Sequence, residues 1–264
     1  MISLFEKLDN NPIRRAFSGA AMQYDVLTSM HKEIGRDLIK KVREREDCAS
    51  ILDIGMGTGW LTGRLAFYFP ETRILGVDFA SGMVRAAREQ KEGFDIVQAD
   101  ALDLPFRAKS FDLIISNLAY QWVLDLKRSF ECCHKILKDD GTLCFTMFGY
   151  ETLSELFESL QSVRGKAETL PLRRLPRLQE TTEALYQAGF KNIESDYERI
   201  TVHFTDMMAI LRWLKGIGAN RLQKDFFVGK DLLSKAGEYY LKQFKDPFGV
   251  RATFEVFWLK ATKT

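Results

Sequence analysis

Apolar and polar positions along residues 50–148 switch repeatedly between two patterns, one typical of short buried strands and one typical of helices. The predicted strands cover residues 50–55, 74–78, 94–98, 111–116 and 142–148, and the predicted helices between them cover residues 60–69, 81–91 and 126–137. Near-continuous apolar runs indicate strands that are buried on both faces. Their alternation with helices predicts a parallel sheet with helices on both of its faces.

The flanks of this region carry helical patterns and two further strands. Apolar residues recur every three or four positions over residues 12–46, which predicts helix. The later predicted helices cover residues 153–163, 181–188 and 207–215, and the later strands cover residues 193–204 and 253–261. The connection between these two strands is too long for a hairpin and predicts a helical insertion. The predicted fold class is therefore α/β, with a Rossmann-like, seven-stranded sheet whose last strand is antiparallel.

Composition narrows the protein class only a little. The chain has 264 residues, of which 46% are hydrophobic and 28% charged, and this length suits one α/β domain. No apolar run approaches the roughly 20 residues of a membrane span. Residues 1–15 carry charges where a signal peptide carries its apolar stretch, so we expect a cytoplasmic protein.

The cysteines, the histidines and the net charge give no positive sign of a metal site or of a nucleic-acid partner. The four cysteines form no C-x-x-C pair, and the three histidines lie far apart in the sequence. The formal net charge of +2 neither favours nor excludes nucleic acid, and it leaves room for local basic patches. We expect no metal, no membrane and no nucleic-acid partner.

The segment LDIGMGTG at residues 52–59 follows a predicted strand and precedes a predicted helix. Its glycines allow a sharp turn and a close approach to a ligand at the helix N-terminus. The spacing differs from the G-x-G-x-x-G of nicotinamide dinucleotide folds, since Trp60 stands where that pattern needs glycine. Asp53 would repel a pyrophosphate but suits a cationic amine and a sulfonium. The predicted cofactor is S-adenosylmethionine, held by Asp53, Gly55, Met56, Gly57 and Gly59.

Three further segments are predicted to complete the cofactor site. Asp78, at the end of the second strand, is expected to accept both ribose hydroxyls. Phe79 and Met83 are expected to contact the adenine, and Asp100 to accept its exocyclic amine. The other expected contacts are Ala101 and Leu102 after the third strand, and Asn117, Leu118 and Gln121 after the fourth.

The residues leave several functional classes open. A methyltransferase for a free small molecule, such as a quinone precursor or a dicarboxylic acid, would share every cofactor residue. A sensor that binds S-adenosylmethionine without turnover is disfavoured because the glycine-rich loop is intact. A nicotinamide oxidoreductase is disfavoured by the glycine spacing and by Asp53.

Four segments carry a resemblance to a known family. They are RAFSGAAMQYD at residues 15–25, SNLAYQW at 116–122, LKGIGA at 214–219 and TFEVF at 253–257. With them the chain resembles the malonyl-acyl-carrier-protein O-methyltransferases of biotin synthesis almost from end to end. It departs at Met56, where many relatives have cysteine, and at residues 248–251, where relatives more often have a tyrosine-proline pair.

The resemblance implies a single methyltransferase domain over residues 1–264. Residues 1–46 would form a helical lid, residues 47–150 the cofactor-binding core, and residues 151–264 the substrate-side helices, the insertion and the last two strands. It also implies methylation of the free carboxylate of malonyl on an acyl carrier protein, or on coenzyme A, as an early step toward pimelate. A carboxylate is ionised near neutral pH, so we expect no catalytic base.

The resemblance also suggests residues for the substrate. Tyr24 would close the pocket over the cofactor and contact both cofactor and substrate, or else pack as a core aromatic. Trp122 would form a tunnel wall or pack under the sheet. A malonyl carboxylate needs a cation. The candidates are Arg14, Arg15, Lys215 and Arg221. The alternative for each is a solvated charge on the protein surface. The basic segment 164–178, which includes Arg164, Lys166, Arg173, Arg174 and Arg177, is expected to dock the acidic carrier protein.

Overall fold

The computed structural model describes residues 12–43, 48–90, 93–164, 175–219 and 229–264. In chain order the elements are α1 (Pro12–Leu27), α2 (Ser29–Val42), β1 (Ser50–Ile54), α3 (Trp60–Tyr68), β2 (Arg73–Asp78), α4 (Ser81–Glu89), β3 (Asp95–Gln98), β4 (Phe111–Asn117), a 3-10 turn (Tyr120–Trp122), α5 (Leu126–Ile136), β5 (Leu137–Phe148), α6 (Ser154–Arg164), α7 (Leu178–Gln187), β6 (Lys191–Phe204), α8 (Met207–Gly216), α9 (Lys230–Phe244), β7 (Lys245–Asp246) and β8 (Gly249–Thr262).

One sheet organises the chain, with the strand order β3-β2-β1-β4-β5-β8-β6. Strands β1 to β5 pair in parallel, and β8 runs antiparallel to both β5 and β6. The order reverses beside β1, so that β1 and β4 are neighbours while their connections leave on different sides. Ligands bind at such a switch point, outside the carboxyl ends of the strands.

Both faces of the sheet are covered. Leu113 and Ile115 of β4 belong to one apolar cluster, together with residues of α2, α3, α6, α8 and α9. Ile114, which points to the opposite face, belongs to a second cluster with residues of α5 and α7. The predicted fold class is thus confirmed. No helix in the described ranges is long and apolar enough to cross a membrane.

Beyond shifts of up to four residues at the ends of other elements, the observed elements differ from the predicted ones in three ways. The predicted helix over residues 12–46 is divided at Thr28, whose side-chain hydroxyl donates to the carbonyl of Tyr24 at 2.7 Å. Strand β5 begins at Leu137 rather than at residue 142, because Leu137 pairs with Phe111 before an irregularity in the ladder. An eighth strand, β7, has only two residues and forms a hairpin with β8. The expected helical insertion contains α9, which lies between β6 and β8.

Candidate functional site

The glycine-rich loop joins the end of β1 to the start of α3. Gly55, Gly57 and Gly59 have φ angles of 74°, 58° and 87°, in the left-handed region that favours glycine. A Cβ added at Gly55 would lie 2.3 Å from the Cβ of Ala119, so this position also needs glycine for space. The Gly55 and Met56 amides both donate to the carbonyl of Val77, at 2.8 and 3.0 Å, which fixes the loop to the end of β2.

Asp53 lies beneath this loop and is fully buried. The Thr62 hydroxyl donates to its Oδ2 at 2.6 Å, whereas Oδ1 has no hydrogen-bond partner among the described residues. Burial raises the pKa of the Asp53 carboxyl to about 7, since the Thr62 hydrogen bond offsets only part of the desolvation. The site therefore holds a buried carboxyl group that lacks a partner for one oxygen.

Asp78 ends β2 on the other side of the loop. Its Oδ1 accepts from the Ala80 amide at 2.8 Å and its Oδ2 from the Gly57 amide at 3.0 Å. Burial raises the pKa of Asp78 to about 6, against the opposing effect of these amides and of the Arg14 guanidinium. Two backbone amides thus orient the Asp78 side chain.

A cleft of about 960 Å³, including the solvent at its mouth, opens above these carboxyl ends. Most of the predicted cofactor residues line it, namely Tyr24, Gly55, Gly57, Asp78, Phe79, Met83, Asp100, Ala101, Leu102, Asn117 and Leu118. A chamber of about 420 Å³ adjoins the cleft and is lined by Asp53 and Met56, with Gly55, Gly57 and Asn117 shared between the two. The sequence-predicted residues therefore converge on two connected spaces.

Two predicted cofactor residues lie elsewhere. Gly59 does not line the cleft, and a Cβ added there would lie 3.0 Å from the ring of Phe94. Gln121 is buried, donates to the carbonyl of Leu118 at 2.7 Å, and lines a separate tunnel. The spacing of the motif could not reveal this, because Leu118 has a positive φ of 52° and a 3-10 turn begins at Tyr120.

Helix α1 covers the cleft. An added Cβ at Gly82 of α4 would lie 2.2 Å from the carbonyl oxygen of Ser18, so glycine permits the close approach of α1 and α4. On its other side α1 contacts α8, where Gln23 Nε2 donates to the carbonyl of Gly216 at 3.2 Å. Tyr24 lines the cleft, the chamber and the tunnel. Burial raises the pKa of the Tyr24 hydroxyl above its usual value, and the nearby Asp78 and Asp25 raise it further.

The tunnel has a volume of about 670 Å³, including the solvent at its mouth, and meets the cleft at Phe17, Tyr24, Leu118 and Trp122, which line both. Trp122 packs edge-to-face on Phe17 with ring centroids 5.1 Å apart. The remaining lining consists of His31, Gln121, Phe148, Thr152, Leu153, Phe157, Leu175, Trp213, Leu214, Ile217, Ala219 and Phe254. No charged side chain occurs among these described lining residues.

The expected substrate cations do not reach the tunnel in the described part of the chain. Arg15 and Lys215 are exposed and line none of the three spaces. Arg14 is buried, and its charge favours the ionised form of Asp78 rather than facing the tunnel. Arg221 lies outside the described residues. The expectation that Arg15 or Lys215 contacts the substrate is therefore not supported by their positions.

Most of the expected docking segment also falls outside the described residues, including Lys166, Arg173 and Arg174. Arg177 is described and exposed, and its guanidinium lies 3.7 Å from the ring centroid of Tyr150. In the described part of the chain no group of three or more His, Cys, Asp or Glu side chains is placed to hold a metal ion.

The sequence analysis missed several residues beside the loop. Lys32 lines the chamber, and its ammonium lies 3.2 Å from Oδ1 of Asp25, which also accepts from the Thr58 hydroxyl at 3.0 Å. His31 lines both the chamber and the tunnel. On the predicted helix over residues 12–46, its position seven residues after Tyr24 places both rings on one face, and the two rings do lie 6.2 Å apart although the observed helix is divided between them at Thr28.

Comparisons with known proteins agree with this architecture. Residues 52–145 match the methyltransferase domain family. Solved structures of similar fold include a possible histamine N-methyltransferase from Thermotoga maritima, with a TM-score of 0.59 and 18% identity, covering 96% of this chain and 100% of that one. Phosphoethanolamine N-methyltransferase 2 of Haemonchus contortus, solved with S-adenosyl-L-methionine, gives a TM-score of 0.60 at 20% identity, covering 93% of this chain and 57% of that one.

Curated relatives extend the match over nearly the whole chain. The chain is 32% identical to the malonyl-[acyl-carrier protein] O-methyltransferase of Gallionella capsiferriformans, over 97% of this chain and 91% of the relative. It is 33% identical to the same enzyme of Geobacter sulfurreducens, over 95% of this chain and 98% of the relative. These matches confirm the resemblance seen in the sequence: the chain is a methyltransferase and belongs to the malonyl-[acyl-carrier protein] O-methyltransferase family.

Proposed function

We propose that this enzyme transfers a methyl group from S-adenosylmethionine to the free carboxylate of a malonyl group that an acyl carrier protein presents. The observation that carries this proposal is the junction of two different spaces at Tyr24, Leu118 and Trp122: a cleft that contains the carboxylates of Asp78 and Asp100, and a tunnel whose described lining is uncharged. A reaction between a charged cofactor and an acyl chain requires such a junction.

The cleft and chamber suit S-adenosylmethionine. The unpartnered Oδ1 of Asp53 offers an acceptor to the cationic amino group, which would also favour the ionised carboxylate. Asp78 would accept from the ribose hydroxyls, while Phe79 and Met83 offer apolar contact to the adenine. When bound, the cofactor supplies a methyl group on a cationic sulfur, and the carboxylate oxygen forms the new O–CH3 bond as the S–CH3 bonding pair stays on sulfur.

The protein's own contribution is alignment and exclusion of water rather than proton transfer. The carboxylate is already ionised at neutral pH. Tyr24 at the junction has a raised pKa, so its hydroxyl keeps its proton and cannot serve as a base. The N-terminal helices, within residues 1–46, would act as a lid that closes the cofactor cleft around the aligned groups.

The form of the tunnel favours an acyl group on a long arm. Its described lining is uncharged and largely apolar, which suits a pantetheine thioester better than a free dicarboxylate carrying two charges. Leu175 lies in this lining, two residues from the exposed Arg177, so the start of α7 places a cation close to the tunnel. An acidic carrier protein would be attracted to that side.

A panel of acceptors tests the proposal. Transfer of labelled methyl would be measured with malonyl-carrier protein, malonyl-coenzyme A and free malonate, and with acetyl-carrier protein as the matched control that lacks the carboxylate. We expect the largest kcat/KM with malonyl-carrier protein and no transfer to the acetyl form. Preferred transfer to free malonate, or transfer to none of the malonyl compounds, contradicts the proposal.

A further inference from the structure

A carboxylate that enters the tunnel needs a hydrogen-bond donor, because an unpaired charge in an apolar space is strongly disfavoured. The described lining supplies only uncharged donors. Three of these already bind backbone carbonyls: Gln121 binds that of Leu118, Thr152 that of Glu255, and Trp213 that of Leu27. The other side-chain donors of this lining belong to Tyr24, His31 and Trp122.

His31 lies where the tunnel meets the chamber. It is the histidine of α2 that lines both the tunnel and the chamber beneath the glycine-rich loop. Only 8% of its surface is exposed, and its Nδ1 has no hydrogen-bond partner among the described residues. A buried ring nitrogen without a hydrogen-bond partner lowers the stability of the ligand-free protein. Such a group is expected where a bound ligand supplies the partner.

The surroundings of the ring are aromatic. Its centroid lies 6.2 Å from that of Tyr24, 5.7 Å from that of Phe148 and 6.1 Å from that of Trp213. Burial lowers the pKa of His31 to about 4, so the imidazole is neutral at pH 7. A neutral imidazole still carries one N–H donor.

We propose that the buried ring of His31 donates a hydrogen bond to the malonyl carboxylate and is the residue that holds it at the entrance to the cofactor chamber. The inference rests on the proposed function and replaces the cation expected from the sequence. A neutral donor adds no further positive charge beside the sulfonium in a water-poor site, and Lys32, the lysine that lines the chamber, is already paired with Asp25 at 3.2 Å. A neutral donor would also bind the attacking carboxylate oxygen less strongly than a cation does, which leaves that oxygen more nucleophilic.

Kinetics of three variants test the role of His31. His31→Leu keeps a side chain of similar bulk but removes the donor, and His31→Gln keeps a neutral donor. His134→Leu is the matched control, because it makes the same change at a histidine that packs on Phe190 away from the tunnel. The measurements are kcat and KM for malonyl-carrier protein at saturating cofactor, together with the cofactor Kd by calorimetry.

We expect His31→Leu to lower kcat/KM by about 10- to 100-fold, as for a lost hydrogen bond to a charged group. His31→Gln should recover most of this loss, and the cofactor Kd should stay within about twofold in both variants. If the role of His31 were purely structural, both substitutions would lower kcat/KM by the same factor or would weaken cofactor binding. A His31→Leu enzyme as active as the wild type, or no recovery with glutamine, overturns the inference.

A measurement on the wild-type protein covers the case in which His31→Leu does not fold. The chain has three histidines, so 15N-labelled histidine gives few ring signals, and His31→Gln assigns one of them. With S-adenosylhomocysteine present, malonyl-pantetheine should shift the His31 ring nitrogens, and its methyl ester should shift them much less. Equal shifts, or none, overturn the inference. A wild-type enzyme that methylates no malonyl thioester overturns the proposed function as well.

Discussion

Replacement of Asp53 by asparagine should stabilise the cofactor-free protein at neutral pH and above, and weaken its binding of S-adenosylmethionine. The Asp53 carboxyl is fully buried and lacks a partner for Oδ1. Its pKa rises from the 3.8 of a free aspartate to about 7 in the folded protein. The folded state therefore binds this proton more tightly than the unfolded chain does, and stability falls as pH rises from about 4 to about 7.

The magnitude follows from the shift in pKa. A rise of roughly three pKa units corresponds to about 4 kcal/mol of lost stability above pH 7. About 2 to 3 kcal/mol of this loss develops between pH 5 and pH 7.5. Asparagine removes the charge but leaves an unpartnered amide group, which costs about 1–3 kcal/mol at every pH. The pH dependence of the difference between the two proteins is thus the informative quantity.

Urea unfolding of the cofactor-free wild type and Asp53→Asn at pH 5, 6 and 7.5 measures this difference. As the pH rises from 5 to 7.5, we expect the free energy of unfolding of the variant to increase by about 2 to 3 kcal/mol relative to that of the wild type. Asp37→Asn on the exposed surface of α2 is the control and should show no such gain. A difference that is constant with pH refutes the argument. Calorimetry should show about 10- to 100-fold weaker cofactor binding by Asp53→Asn, and unchanged affinity would remove Asp53 from the cofactor site.

Two further substitutions test the cleft. Asp78→Ala removes the acceptor oriented by the Ala80 and Gly57 amides, and should weaken cofactor binding by about 1–3 kcal/mol in calorimetry; unchanged affinity means that the ribose site is misassigned. Gly55→Ala places a methyl group against Ala119 at a positive φ and should destabilise the protein by about 1–3 kcal/mol in urea unfolding, whereas Gly63→Ala within α3 should not. Equal stability of these two glycine variants would contradict the geometry of the loop.

The sequence predicted the parallel half of the fold well because each of its strands is a short apolar run beside a helical period. The end of β1 and the end of β2 were placed to within a residue, which put Asp53 and Asp78 at the correct edge of the sheet. The start of β5 was missed because residues 138–141 are polar and contain glycine, which is typical of a turn. Leu137 pairs with Phe111 and Thr142 with Leu113, while the segment between them forms an irregularity in the ladder, with Asp140 at a φ of 60°.

The tunnel could not be predicted from local patterns. Its walls come from α1, α2, α6, α8, β5 and β8, elements that are far apart in the chain. Arg15 and Lys215 were expected to contact the substrate, but both are exposed. Sequence alone does not tell which face of a helix points inward. His31 was passed over as one of three scattered histidines, since its burial and its unpaired nitrogen are properties of the folded packing.

The most direct test of the account is the position of the methyl group on the product. The carrier protein would be charged with malonyl, incubated with enzyme and deuterated S-adenosylmethionine, and its phosphopantetheine arm analysed by fragmentation in a mass spectrometer. We expect one labelled methyl on the distal carboxylate of the malonyl group, and none when the carrier holds acetyl. Label on the carrier polypeptide itself, or an unlabelled arm despite tight cofactor binding, would contradict the account.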